Sequence, residues 1–176
     1  DPRKSETAAA ANIHLPVRPG ADALLIKAMI AIIVSNGWEK SDYIRNHVEG
    51  WDQIRPWFEN FDNKAAISAC ELEFEPVYEL CRLMVTKKWC VHPDLGLYMG
   101  RKNILSLYFL MILEAVCGNF MVRGGNVIPG FVVPMGFHAD ERNPRTWRTA
   151  ATNMPPAAAG SFPPAVMPEE ILSDNP

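Results

Sequence analysis

The sequence predicts an α/β fold, and three observations carry that expectation. The run from Arg18 to Gly37, R-P-G-A-D-A-L-L-I-K-A-M-I-A-I-I-V-S-N-G, reads as a helix in which Lys27 is the only charge between Ala23 and Val34. A helix apolar on nearly every side must be buried on most faces. A second such run, Ile104 to Cys117, is polar only at Ser106 and Glu114. Helical, turn and short extended segments alternate between the two, which is α/β texture. Strands are scarce, and an α/β domain needs about one strand per helix. The expectation therefore requires strands from sequence on either side of this stretch.

The elements follow in order. Glu6 to Ala11 can form a helical turn, and Ile13 to Val17 reads as extended, restricted by Pro16. Pro19-Gly20 is a turn signal and Asp22 an N-cap for a helix over 22–36, which Gly37 ends as a left-handed cap. That helix end is also where α/β folds often bind an anion or a nucleotide. Ser41-Asp42 starts a short helix ended by Gly50. Trp51, Ile54, Trp57 and Phe58 mark another, broken or restarted at Pro56. Ala65 to Ala69 gives one more turn. Over 75–88, Val77, Leu80, Cys81 and Met84 form one apolar stripe, with Pro76 at the first helical position and Lys87-Lys88 in the last turn. Trp89 to Val91 reads as a short buried strand. Asp94 to Arg101 is a glycine-marked loop leading into the helix over 104–117, which Gly118 ends. Residues 119–166 are rich in Gly, Pro and Asn, and Pro168 to Leu172 forms a last short helix.

Composition narrows the function. The chain has 176 residues, 48% hydrophobic and 21% charged, which is globular. A net charge of -3 with no basic stripe argues against a nucleic-acid partner. Four cysteines, at 70, 81, 90 and 117, form no C-x-x-C pair and read as free thiols. No apolar run is long enough to span a bilayer, so no membrane insertion is expected. The opening at Asp1, the close at Pro176 and the late concentration of proline read as a piece of something longer.

Several ordered motifs then carry a resemblance. Asp1-Pro2-Arg3, Thr7-Ala8, Ala11-Asn12-Ile13-His14 and Arg18-Pro19-Gly20-Ala21-Asp22-Ala23 resemble D-P-R-x-x-x-T-A-x-x-A-D-x-H followed by P-G-T-D-A-A-L. Tyr43-Ile44 to Glu49-Gly50-Trp51 resembles F-I-x-x-H-T-E-G-F/W, and Leu113 to Gly125 is similar to L-x-x-L-T-G-N-I-G-x-x-G-G. These are signatures of molybdopterin oxidoreductases of the dimethyl sulfoxide reductase superfamily, resembled closely over 1–130 and loosely over 160–176. The resemblance implies a catalytic subunit holding two pyranopterin guanine dinucleotides (molybdopterin guanine dinucleotide) around one molybdenum or tungsten, with a [4Fe-4S] cluster possible upstream. It implies an incomplete Rossmann-like three-layer fold. Residues 1–93 would be the second half of one dinucleotide-binding domain, and 94–176 the start of the returning half of the other.

The resemblance also assigns roles. Asp22 would read guanine, since a carboxylate accepts from both N1–H and the N2 amine; the alternative is simple helix capping. Family members usually have Thr or Ser before it, where this chain has Ala21. Asp1 would lie at the guanosine end and accept from ribose; the alternative is a turn residue. Pro19 and Gly20 set the turn. Arg3, Lys4 and Arg18 would offset the pyrophosphate, or are solvated charges. Gly96, Leu97, Tyr98, Met99 and Gly100 would touch the pterin side, with Arg101 and Lys102 reaching phosphates or a pterin edge. The glutamine usual in that loop is absent and Met99 falls near its place. Gly118 and Asn119 fix a helix end, and Arg123 to Asn126 form a loop.

No catalytic residue and no metal ligand is assigned. The family's protein ligand to the metal would precede Asp1, so the 176-residue chain alone should be inactive. His14, His47, His92 and His138 read as structural or surface groups, while His138 with Asp140, Glu141 and Arg142 is the one acid–base cluster, a candidate funnel element. The expected partners are the remaining domains of the same polypeptide and an iron–sulfur electron-transfer subunit. The compartment would be cytoplasmic or periplasmic. Two alternatives stand beside an oxidoreductase: a non-redox hydratase or transhydroxylase of the same fold, and a scaffold module that binds no cofactor.

Overall fold

The computed structural model describes residues 1–127, 148–154 and 164–173. The chain divides into two compact units, Asp1–Ile128 and Pro129–Pro176.

The described residues of the first unit are helical: α1 (Glu6–Ala10), α2 (Asp22–Ser35), α3 (Ser41–His47), α4 (Trp51–Ile54), α5 (Pro56–Glu59), α6 (Asn63–Ala69), α7 (Phe74–Thr86), α8 (Leu95–Tyr98) and α9 (Asn103–Val116). The centre is α2, packed by α5, α6, α7 and α9. Ala28, Ile30, Ala31 and Ile33 are fully buried, as its nearly uniform apolar surface requires. Lys27 stays compatible with this core by laying its ammonium over the Phe61 ring, 4.5 Å from the centroid. Beside α2, the rings of Trp51, Phe58 and Phe109 pack in a row.

Both long apolar helices end in the same device. Gly37 (φ +65°) lets its N–H reach the Val34 carbonyl and the Trp38 N–H reach Ile33. At the end of α9, Gly118 (φ +61°) does likewise, with its N–H to Ala115 and that of Asn119 to Glu114. Each pair satisfies carbonyls that the helix leaves open. Pro56 opens α5, as its missing N–H allows.

The α/β texture expected from the sequence is not seen among the described residues. No strand occurs among the described residues; the nearest feature is an isolated bridge between Phe120 and Asn126. Trp89 to Val91, expected as a strand, belongs to no strand, and three of its backbone polar groups are bound by side-chain amides. The Asn126 amide donates to the Val91 carbonyl at 2.8 Å, and its oxygen accepts the Val91 N–H at 2.6 Å. The Asn119 amide donates to the Trp89 carbonyl. These amides do what a neighbouring strand would do. Smaller differences follow the backbone. Pro76 is the third helical residue of α7, and Lys87 and Lys88 lie beyond its last turn. The loop at 94–101 contains α8, started by Asp94, whose carboxylate accepts the Leu95 N–H at 2.7 Å.

In the second unit, a 3-10 turn, Pro164–Val166, leads into α10 (Met167–Leu172). The Glu170 carboxylate accepts N–H groups from Ala150, Ala151 and Thr152 at 2.9, 3.1 and 2.9 Å and the Thr152 hydroxyl at 3.0 Å. Burial pushes its pKa up, but these donors outweigh that and hold it low.

Candidate functional site

The strongest candidate lies at the start of α2. The Ala21 N–H donates to the Arg18 carbonyl at 3.0 Å and closes the turn, with Gly20 at φ +79° where a side chain would be strained. The Arg18 N–H donates to the Cys70 carbonyl at 3.1 Å, and the Cys70 thiol donates to the Ala21 carbonyl at 3.8 Å. Burial raises the pKa of that thiol, Arg18 opposes the shift and Asp22 adds to it.

Asp22 is not the N-cap that the sequence suggested. Ala21 takes that place, with no side-chain cap, and Asp22 is the first helical residue. Its carboxylate is half-buried and takes part in no hydrogen bond or ion pair among the described residues. It sits beside the first-turn N–H groups, which no helical carbonyl satisfies. The turn thus presents two acceptor oxygens and open amide donors at the mouth of a rigid, buried helix. That set can bind a planar group with adjacent donors, or an anion at the amides.

The other expected site residues fall into two groups. Asp1, Arg3 and Lys4 are exposed. One Asp1 carboxylate oxygen accepts the Arg3 N–H at 2.9 Å, and the Asp1 carbonyl is 2.8 Å from His14 Nε2. Pro19 and Gly20 are exposed on the turn itself. Gly96, Tyr98, Met99 and Arg101 lie in α8 and the link to α9, with Met99 80% exposed. Asn103 Nδ2 ties this link down by donating to the Tyr98 carbonyl at 2.7 Å. An open groove of about 390 Å³ lies alongside, lined by Arg101, Lys102, Asn103, Ile104, Leu105 and Tyr108. No hydrogen bond or ion pair among the described residues joins this segment to the Asp22 turn.

The loop at 118–126 is structural at its base. Asn119 is buried, and a Cβ on Gly125 would run into the Asn119 carbonyl oxygen. The cluster of His138, Asp140, Glu141 and Arg142 lies outside the described residues. No group of three or more His, Cys, Asp or Glu that could hold a metal occurs among the described residues.

Three groups have surroundings that only the structure reveals. Cys70 touches the Asp22 turn twice. Glu39 is gripped by Arg55 Nε and Nη2, each at 3.0 Å, and by Trp51 Nε1 at 3.2 Å, and the Glu39 bonds raise the Arg55 pKa. Glu114 is 4% exposed, its Oε1 has no hydrogen-bond partner among the described residues, and burial raises its pKa. Glu114 alone was visible in advance, as a charge inside an apolar run.

No protein-family profile matches the chain. The chain is 28% identical over 130 residues to the F420-dependent formate dehydrogenase subunit alpha of Methanocaldococcus jannaschii, covering 73% of this chain and 19% of that one. It is 26% identical over 133 residues to acetylene hydratase of Syntrophotalea acetylenica, covering 73% and 18%. Among solved structures, acetylene hydratase from Pelobacter acetylenicus superposes with a TM-score of 0.63 at 20% identity, over 67% of this chain and 16% of that one. The chain spans about a fifth of the length of the curated relatives it matches.

Proposed function

We propose that this chain, whose relatives are molybdopterin oxidoreductases of the dimethyl sulfoxide reductase superfamily, forms part of a molybdenum- or tungsten-dependent oxidoreductase. Within it, the Asp22 turn holds the guanine end of a pyranopterin guanine dinucleotide. The observation behind this is that the Asp22 carboxylate has no hydrogen-bond or ion-pair partner among the described residues. Had Asp22 been a helix cap, its oxygens would be engaged by α2; they are not.

The residues present fit such a group. The Asp22 oxygens accept guanine N1–H and the N2 amine, and adenine offers no such pair. Gly20 keeps the turn free of side-chain bulk. Arg18, with Arg3 and Lys4, supplies charge to offset a pyrophosphate. Gly96, Tyr98, Met99 and Arg101 are exposed and available to the pterin end. The metal, held by pterin sulfurs when bound, supplies the chemistry. This chain binds and orients. The α/β architecture of the intact domains, with strands contributed by sequence beyond this stretch, belongs to the same proposal, as does an iron–sulfur electron partner. The match to acetylene hydratase keeps a non-redox reaction as the second reading.

The test is Asp22→Asn in the full-length protein, freed of cofactor, with GMP and AMP as probes. A hydrogen bond to a charged group contributes about 1.5–3 kcal/mol. GMP affinity should fall by ~10-fold or more while AMP affinity holds. Equal binding of GMP and AMP by the wild type, or a preference that survives the substitution, would overturn the reading.

A further inference from the structure

We infer that Cys70 is a positioning residue that sets the Asp22 turn for nucleotide recognition. The inference rests on the reading of Asp22 above. One residue grips the turn at both ends: its carbonyl accepts the Arg18 N–H at 3.1 Å, and its thiol donates to the Ala21 carbonyl at 3.8 Å. That same carbonyl accepts the first helical bond of α2, from the Leu25 N–H at 2.9 Å. Cys70 therefore bears on the peptide that aims Asp22.

Cys70 is itself held firmly. It is fully buried at the C-terminal end of α6, and its N–H bonds to the carbonyls of Ala66 and Ile67. The next residue, Glu71, takes a left-handed conformation at φ +62°, unusual for a side-chain-bearing residue. It lets the N–H of Glu71 reach Ser68 and that of Leu72 reach Ile67. Ile67 is buried in the core against α2. The path runs from core to α6 end, to Cys70, to the turn, to Asp22. Recognition by two parallel hydrogen bonds tolerates displacements of only about 0.5 Å. A turn tethered at Arg18 and Ala21 keeps Asp22 within that range.

The test uses the full-length protein freed of cofactor, with GMP and AMP as probes. Cys70→Ala removes the donor. The Ala variant should reduce the preference for GMP over AMP about three- to tenfold, the scale of one modest hydrogen bond. A purely structural cysteine would lower melting temperature and leave the ratio untouched. A wild-type preference that survives Cys70→Ala overturns this inference alone. A wild type without preference overturns the reading of Asp22 and this inference with it. Should the Ala variant not fold, hydrogen exchange at the Arg18 amide of the unmodified protein decides. GMP should slow that exchange because it binds the clamped turn, and an unchanged rate refutes the role.

Discussion

Replacing Glu114 with leucine should stabilise the protein at neutral pH. Glu114 lies on α9 at 4% exposure, and its Oε1 has no hydrogen-bond partner among the described residues. Near it are Tyr43, whose phenol donates to the Phe120 carbonyl at 2.6 Å, and Cys117, a thiol that burial pushes up to about 12 and that brings no counter-charge. An unsatisfied buried polar group costs about 1–3 kcal/mol, and leucine of similar size removes that cost. The pH dependence has a fixed sign. A carboxyl whose folded pKa is raised contributes stability that is complete below its unfolded value, near 4.5, and is lost as pH rises through the folded value. The advantage of leucine should therefore be small at pH 4.5 and grow towards neutrality. Urea unfolding at pH 4.5 and 7.5 reads it. With a slope of about 1–3 kcal/mol per M, the midpoint should move up by roughly 1 M at the higher pH. A destabilised variant, or a gain that does not change with pH, would show that the carboxylate is solvated or paired, and would refute the reasoning.

Three further outcomes follow from packing and polar contacts. Ile30→Ala, at a fully buried site in the middle of α2, should cost about 2–5 kcal/mol, read as a lowered urea midpoint. Gly125→Ala drives a Cβ into the Asn119 carbonyl oxygen, so it should lower the melting temperature and speed exchange at the Val91 amide, which Asn126 holds. In the second unit, Glu170 has a lowered pKa, so its grip is present above the unfolded value near 4.5 and is lost as pH falls through the folded value. Exchange at the Ala151 and Thr152 amides, corrected for intrinsic rates, should accelerate on acidification in the wild type and be fast throughout in Glu170→Ala.

The helices were legible because their determinants are local. The apolar surface of α2 required burial and received it; Gly37 and Gly118 marked their ends; Pro56 marked the restart at α5. The expected strand at 89–91 was misread because its pairing comes from Asn119 and Asn126, about thirty residues away. No periodicity in Trp89-Cys90-Val91 separates a strand from chain pinned by side-chain amides. Asp22 is a candidate ligand through the resemblance of Arg18 to Ala23 to the family motif. Its role as a cap was a wrong inference from residue type: Ala21 holds the cap position, and the carboxylate is left open. Cys70 looked like any buried thiol. Its relation to the turn depends on the end of α6 packing against the start of α2, which is tertiary and leaves no local pattern.

The central claim is that this chain serves a guanine-bearing pterin cofactor, and the most direct measurement is chemical. The full-length protein, purified without oxygen, is assayed for molybdenum and tungsten, and its released nucleotide is identified. The account predicts a guanine nucleotide with about two pterins per metal, and loss of that nucleotide in Asp22→Asn. A protein without pterin or metal, or with an adenine nucleotide in place of guanine, would contradict it.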